Sequence, residues 1–288
     1  MSRKWLRVMN IIKNIKSYLS FKIKYLKSSL RGFFLNKNVT ALIVNTSQGV
    51  FAVDPKDISV GRALLKSGEY GLDEVQRIVK LAGPNGKVLF VGTHLGAIAI
   101  PVSKSVAKVT AVEANPNTFK LLEYNKRLNG CHNMELLQMA AGEVNGEINF
   151  LLNTANSGGS KRVPAVKKIN YVYDSPEIVK VKLRVLDELL KDSFDLILMD
   201  IEGSEYFALK GMQSLLASVR ILIVEFVPDH LRNVSSVSAS DFLELIEPHF
   251  NSLYIPSVGI TVAKKDFSRK LNEMYSANIS DNGIVFSK

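Results

Sequence analysis

The sequence predicts an α/β protein built on a doubly wound, mostly parallel sheet. Two observations carry that reading. From residue 87 onward, short apolar runs alternate with helical patterns, which is how a parallel sheet covered on both faces appears in sequence. Within that alternation one strand runs into a turn holding Gly92 and Gly96, and the next strand ends on an acid, Glu113, the arrangement doubly wound sheets use at their ligand edge. Composition agrees: 288 residues, 47% hydrophobic and 22% charged, suit a globular chain long enough to build a core without metal or disulfide. The lone cysteine, Cys131, excludes a disulfide scaffold and fits a reducing compartment.

Charge is unevenly placed. Ten of the 37 Lys and Arg lie in residues 1–40, which hold no Asp or Glu, so the remainder carries 27 of each sign. The formal charge of +10 therefore belongs to the N-terminal segment. A neutral body lacks the basic groove that nucleic acid needs, so nucleic acid is not an expected partner. Within residues 3–31, Trp5, Met9, Ile12, Ile15, Leu19, Ile23, Leu26 and Leu30 recur at helical spacing among the basic side chains. Such a helix can lie in a membrane interface against anionic lipid, pack on the body or on a second copy in a homodimer, or serve as a targeting peptide. It does not span a membrane, because charge interrupts every window of about 18 residues. The expected location is cytoplasmic, with peripheral contact to the inner face of a membrane as the extension of that reading.

The division expected is residues 1–38 as the basic segment, 39–83 as a lead-in, and 84–288 as the main domain. The lead-in contains a hairpin (strand Thr40–Asn45, turn Ser47-Gln48-Gly49, strand Val50–Val53) and a helix over Gly71–Leu81, whose apolar face is Leu72, Val75, Ile78 and Val79. Gly83-Pro84-Asn85-Gly86 then breaks the chain. Strands follow at Lys87–Val91, Lys108–Glu113, Met134–Gln138, Glu147–Leu152, Val179–Arg184, Leu196–Asp200, Ile221–Phe226 and Leu253–Ile255, with helices at Asn117–Leu128 and Ser204–Leu216. Thr261–Ala263 and Ile284–Phe286 are expected as an antiparallel edge. Asn153–Pro176 reads as a loop-like insertion, glycine-rich and basic at Ser157-Gly158-Gly159-Ser160-Lys161-Arg162. It is either a mobile surface loop or the cover of an acceptor pocket, with Lys161 and Arg162 meeting an acidic sugar or phosphate.

Gly92 and Gly96 let the backbone approach a ligand, the following helix presents free N–H groups, and Glu113 suits ribose hydroxyls. His94 breaks the G-x-G-x-x-G pattern, which favours a nucleoside without pyrophosphate over a dinucleotide.

The order of segments resembles the FkbM family of S-adenosylmethionine-dependent methyltransferases. The family's D-V-G-A-N-x-G turn is answered by Phe90-Val91-Gly92-Thr93-His94-Leu95-Gly96, and its E-P-N-P by Glu113-Ala114-Asn115-Pro116. Its A-x-S-D-x-x-G is answered by Ala140-Ala141-Gly142-Glu143-Val144-Asn145-Gly146, and V-K-V-x-T-L-D-x-L by Val181-Lys182-Leu183-Arg184-Val185-Leu186-Asp187-Glu188-Leu189. The most specific match is Asp195-Leu196-Ile197-Leu198-Met199-Asp200-Ile201-Glu202-Gly203-Ser204-Glu205, like D-L-I-K-I-D-V-E-G-A-E. The resemblance covers residues 87–230. It implies a class I methyltransferase, Rossmann-like, with a seven-stranded doubly wound sheet and the N-terminal helix and hairpin as an extension. It also implies O-methylation of a hydroxyl on a sugar, glycan or secondary metabolite, with S-adenosyl-L-methionine as cofactor and a small molecule or glycan as acceptor.

On that reading Gly92, Thr93, His94 and Gly96 line the methionine end of the cofactor. Glu113, Ala114 and Asn115 meet the ribose, Met139 and Ala140 the adenine, and Asp200 lies near the sulfonium. A hydroxyl acceptor needs a general base, for which Asp200, Glu202 and His230 are the candidates. Clustered carboxylates push a pKa upward, as a base requires, and His230 has the right intrinsic range. Glu202 is otherwise a cap for the helix beginning at Ser204, and His230 a surface-loop histidine. Asp200, Glu202, Glu225 and His230 lack a metal-ligand spacing, so no metal is expected. Phe90 stands where the family has an acid that holds the cofactor's amino group. Either His94 has rebuilt that contact, or the site has become a binding module without catalysis.

Overall fold

The computed structural model describes residues 38–288 and, ahead of them, residues 23, 26, 30 and 34–36. The stripe expected over residues 3–31 lies outside the described residues except for Ile23, Leu26 and Leu30, which are helical and exposed. Among the described residues no helix is long and apolar enough to cross a membrane.

The hairpin forms from β1 (Leu42–Thr46) and β2 (Gly49–Val53). Two helices follow, α1 (Val60–Ser67) and α2 (Leu72–Ala82). Helix α1 is absent from the sequence reading, because its eight residues hold scarcely two turns of periodicity. Its start is fixed by Asp57, whose Oδ1 accepts the backbone N–H of Ser59 and Gly61, both at 2.9 Å.

Next come β3 (Lys87–Val91), β4 (Lys108–Glu113), α3 (Pro116–Leu128) and β5 (Met134–Gln138). Asn115 caps α3 by accepting from Asn117 N and Thr118 N. Asparagines on the far part of α3 hold the hairpin. Asn125 Oδ1 accepts Ala52 N–H at 2.6 Å and its Nδ2 donates to Ala52 O at 3.2 Å; Asn129 makes the same pair of bonds with Val50, at 3.1 and 2.7 Å. Four residues of helix rise about 6 Å and two residues of strand about 6.6 Å, so the two amides match alternate residues of β2.

The strands β6 (Ala140–Ala141), β7 (Gly146–Leu152), β8 (Lys161–Arg162) and β9 (Glu177–Arg184) form their own sheet in the order β6-β9-β7-β8. This corrects the expectation that β7 and β9 join the main alternation. Most outward positions of β7 and β9 are exposed, whereas a strand inside a doubly covered sheet is buried on both sides.

The main sheet is completed by β10 (Leu196–Met199), β11 (Ile221–Phe226), β12 (Ser252–Ile255), β13 (Ile260–Ala263) and β14 (Asp281–Ser287). Its order is β13-β12-β14-β11-β10-β3-β4-β5, eight strands rather than seven, the hairpin partner β13 being the addition. β5, β4, β3, β10 and β11 are parallel; β12, β13 and β14 are antiparallel. Successive residues of β3 feed opposite cores: Leu89 and Val91 join one buried cluster, Val88 and Phe90 the other. The single helix expected over Ser204–Leu216 is two, α4 (Glu205–Lys210) and α5 (Gln213–Ser218). The break falls at Gly211, where a Cβ would lie 2.0 Å from the Gly142 carbonyl. Helices α6 (Ala239–Glu244), opened by a Ser238/Asp241 capping box, and α7 (Phe267–Ala277) cover the antiparallel edge.

Candidate active site

The C-terminal ends of β3, β4 and β10 open on a cleft of about 210 Å³, the ligand edge of a doubly wound sheet. Its floor is the turn after β3. Gly92 N and Thr93 N both donate to Val112 O, at 3.0 and 3.1 Å. Gly92 has φ +89°, and a Cβ there would sit 1.9 Å from the Asp200 carbonyl, so no other residue fits. His94 adopts φ +55°, a left-handed conformation that Asn, Asp and His tolerate better than most side chains.

Glu113 is buried behind that turn, with Oε2 accepting His94 N–H and Oε1 accepting Asn115 N–H, each at 2.7 Å. Burial pushes its carboxyl up to about 7 against the pull of the Asn115, His94 and Ala114 backbone N–H groups. Each oxygen has accepting capacity left for a diol. Beyond it the cleft becomes apolar at Met139, Ala140, Ile148, Phe150 and Leu183.

Of the residues nominated from sequence for the cofactor, Gly92, Thr93, His94, Glu113, Ala114, Met139, Ala140 and Asp200 line this cleft, and Gly96 and Asn115 do not. Gly96 is packed under Ile100 and Leu122. Asn115 is buried, and its Nδ2 donates to Ser160 Oγ at 3.1 Å. These two build the wall rather than its surface. Phe90, 1% exposed, belongs to the core and forms part of the cleft's lining.

The cleft also recruits residues that sequence reasoning missed: Ser59, Val60 and Tyr70 from the lead-in segment. Behind them lies Asp57, buried, whose Oδ2 accepts both Ser157 N–H at 3.1 Å and Ser157 Oγ–H at 2.7 Å. Ser157 Oγ stands 2.7 Å from His94 Nε2. The Ser157 hydroxyl spends its proton on Asp57, so His94 Nε2–H donates to the serine oxygen. That tautomer leaves His94 Nδ1 as a lone pair, buried and without a partner among the described residues. Burial pushes the His94 pKa down, against Asp57 and Glu202, so the ring is neutral. Asp57 and Ser157 are 100 residues apart and share no local pattern that would have paired them.

The insertion after β7 is tied down rather than mobile. Asp174 Oδ2 accepts Thr154 N–H and Ala155 N–H at 2.7 and 2.8 Å, and Ile58 N donates to Ala155 O at 2.8 Å. Lys161 and Arg162 already have partners, which counters the expectation that these two meet an anion. Lys161, 4% exposed, places Nζ 2.9 Å from Glu202 Oε2, and Arg162 lies 3.6 Å from Glu143 and stacks over Phe207 at 3.9 Å.

Asp200, Glu202 and His230 are brought together. Glu202 does not cap a helix: with φ +56° it turns toward Lys161 and His230, whose Nε2 is 3.6 Å from Glu202 Oε2. It is Glu205 whose Oε1 closes the turn, accepting Ile201 N–H and Gly203 N–H at 2.9 and 3.3 Å. His230 Nδ1 lies 3.2 Å from Glu225 Oε2. Burial, and then the Lys161 charge, pull the His230 pKa down. Asp200, Glu205 and Glu225 each bring a carboxylate oxygen within 4.8 Å of the others. Asp200 keeps accessible surface, but it opens on the cleft that Asp200 lines. Burial and then the neighbouring carboxylates hold Asp200 and Glu225 well above the usual carboxylate range.

A second cavity, about 250 Å³, adjoins the cleft. Asn156 and Glu202 line both, and His230, Lys161, Tyr171, Asp229 and Asn153 line the second alone. The arrangement therefore sets a histidine–carboxylate array at the junction of two cavities, one suited to a nucleoside.

The sequence model of the family described as "Methyltransferase FkbM domain" matches residues 91–253. No curated protein matches the chain significantly. Among solved structures, the chain is similar to methyltransferase FkbM from Methylobacillus flagellatus KT, at 14% identity over 82% of this chain and 56% of that one, TM-score 0.43. It is similar to M. jannaschii TYW2 in complex with AdoMet, at 16% identity over 65% and 62%, TM-score 0.39. A TehB-like SAM-dependent methyltransferase from Corynebacterium glutamicum shares 16% identity over 79% and 93%, TM-score 0.42. The chain thus spans less than two thirds of the first two.

Proposed function

Because the chain belongs to the FkbM methyltransferase family, whose methyl donor is S-adenosylmethionine, we propose that it methylates a hydroxyl oxygen of a sugar, glycan or other secondary metabolite. The observation that carries this reading is Glu202, which lines both the cleft and the second cavity, beside His230, which lines the second and is backed by Glu225.

The cleft fits the donor. Gly92 leaves the floor open to close approach, Glu113 retains accepting capacity for ribose hydroxyls, and Met139 and Ala140 offer an apolar bed for adenine. His94, whose Nδ1 lone pair is buried without a partner among the described residues, and Phe90, in place of the family acid, both line that cleft. When bound, S-adenosylmethionine supplies a methyl group on a positively charged sulfur that leaves as a neutral thioether.

The protein's own part is to place the acceptor in line with that methyl and to take its proton. Glu225 engages His230 Nδ1, so Nε2 is the nitrogen that accepts the proton as the new O–C bond forms. Glu202, held by Lys161, orients the acceptor side of the junction, and Asp200 faces the donor. We place this activity near an anionic membrane surface through the basic residues 3–31.

The second reading, a binding module without catalysis, is favoured by Phe90 alone. Calorimetric titration with S-adenosylmethionine and S-adenosylhomocysteine separates the two. Micromolar binding of both is expected. A folded protein that binds neither at millimolar concentration would overturn the methyl-transfer reading.

A further inference from the structure

We propose that the second cavity is a site for an uncharged ligand rich in hydroxyl groups, which Asn153 holds and from which ions of either sign are excluded. Resting on the methyl-transfer reading, this is the acceptor site.

The orientation of Asn153 is fixed by its partners. The residue is 5% exposed, and its Nδ2 donates to Tyr171 O at 3.3 Å and to Asp174 Oδ1 at 2.8 Å. Both partners only accept, so the amide cannot be flipped, and the atom left over is the acceptor Oδ1. That atom is buried and has no partner among the described residues. A buried carbonyl oxygen without a partner is destabilising, and a ligand O–H relieves that.

The charges of the wall have partners. Lys161 is bound to Glu202 at 2.9 Å, and Asp229 to Lys168, which lies outside the lining, at 2.5 Å. Asp229 also accepts from the Tyr171 hydroxyl at 2.5 Å and from Asn233 Nδ2 at 3.1 Å. His230 is backed by Glu225. A phosphate or carboxylate entering here finds Lys161 and Lys168 engaged and Glu202, Asp229 and Glu225 nearby. An ammonium faces the buried Lys161 charge and carboxylates already bonded. Either ion gives up its water without a free counter-charge. A neutral polyol instead finds accepting atoms at Asn153 Oδ1 and His230 Nε2, the second being the proposed base.

Saturation-transfer NMR on the full chain, with and without S-adenosylhomocysteine, tests this. The probes are methyl glucoside and methyl rhamnoside against glucose 6-phosphate and glucosamine. The neutral glycosides are expected to give transfer at millimolar concentration, and the charged sugars to bind at least about tenfold more weakly. Asn153→Ala should abolish transfer. Val227→Phe, which fills the cavity from a residue lining it without removing a side-chain hydrogen bond, should do the same while S-adenosylhomocysteine affinity stays unchanged. The assignment is overturned if neither glycoside binds, if a charged sugar binds as well, or if Val227→Phe leaves transfer intact. Glycoside binding without S-adenosylhomocysteine binding would keep the site and remove the methyl-transfer reading; the reverse would remove the site alone.

Discussion

Glu113 and His230 both lose their working form on acidification, at different pH, and each belongs to a different kinetic parameter. The Glu113 carboxyl is pushed up to about 7, so its ionised form, the one able to accept two ribose hydroxyls, is lost as pH falls through that value. Donor affinity is expected to weaken from pH 8 to pH 6, as calorimetry with S-adenosylhomocysteine would report, and Glu113→Ala should cost roughly tenfold at pH 8. His230 is pulled below its ordinary range, so it remains a neutral base until the medium is more acidic than about 6.5. With saturating donor, kcat should stay level through neutrality and fall only below that point. His230→Ala should lower kcat by roughly 10²–10⁴ and leave donor affinity in place. Phe90 is a different case. Restoring the family acid with Phe90→Asp would bury a carboxylate where the packed core meets the floor of the cleft. The expected result is a loss of about 3–5 kcal/mol in chemical denaturation and no gain in donor affinity.

Among the elements, legibility followed burial. Strands β3, β4 and β11 have the bounds expected from sequence, because the body of each is a run of apolar or β-branched residues closed by turn residues; β5 has them too, although only Met134 of it is buried. The turn after β3, Glu113 and the Asp200/Glu202 segment were legible for a related reason: each sits where a strand ends at the ligand edge. What escaped was set by distant partners. The start of α1 depends on Asp57, the split between α4 and α5 on Gly142 touching Gly211, and the small sheet on β7 and β9 finding each other across the insertion. Helix α6 did leave a local trace in Ser238 and Asp241, the spacing of a capping box. The latch from Asp57 through Ser157 to His94 is the element whose removal should be most visible. Asp57→Ala frees three backbone N–H groups and one hydroxyl. It is expected to cost on the order of 2–3 kcal/mol and to raise hydrogen exchange across residues 153–160. Ser157→Ala should loosen the same segment at smaller cost and leave α1 protected.

At the scale of the whole molecule, the lead-in segment is built into the main core. Phe51, Val53, Val60, Leu64 and Ile78 share one buried cluster with Val88, Phe90 and Ile100. A chain starting at residue 84 is therefore expected not to fold, and one starting at residue 39 to fold with an unchanged melting profile. The proposed membrane contact is tested at this scale too: deleting residues 1–38 should abolish binding to anionic liposomes at low salt and spare S-adenosylhomocysteine affinity, and unchanged liposome binding would end that proposal. The asparagine clamp on β2 adds a matter of timing. Asn125 lies 73 residues beyond Ala52, so at 5–20 residues per second a ribosome makes the hairpin about 4–15 s before the side chains that complete its hydrogen bonding. During that interval β2 offers bare peptide groups to whatever strand is near. The nascent chain thus passes through a window of exposure to chaperones and to misjoining that closes only when α3 emerges.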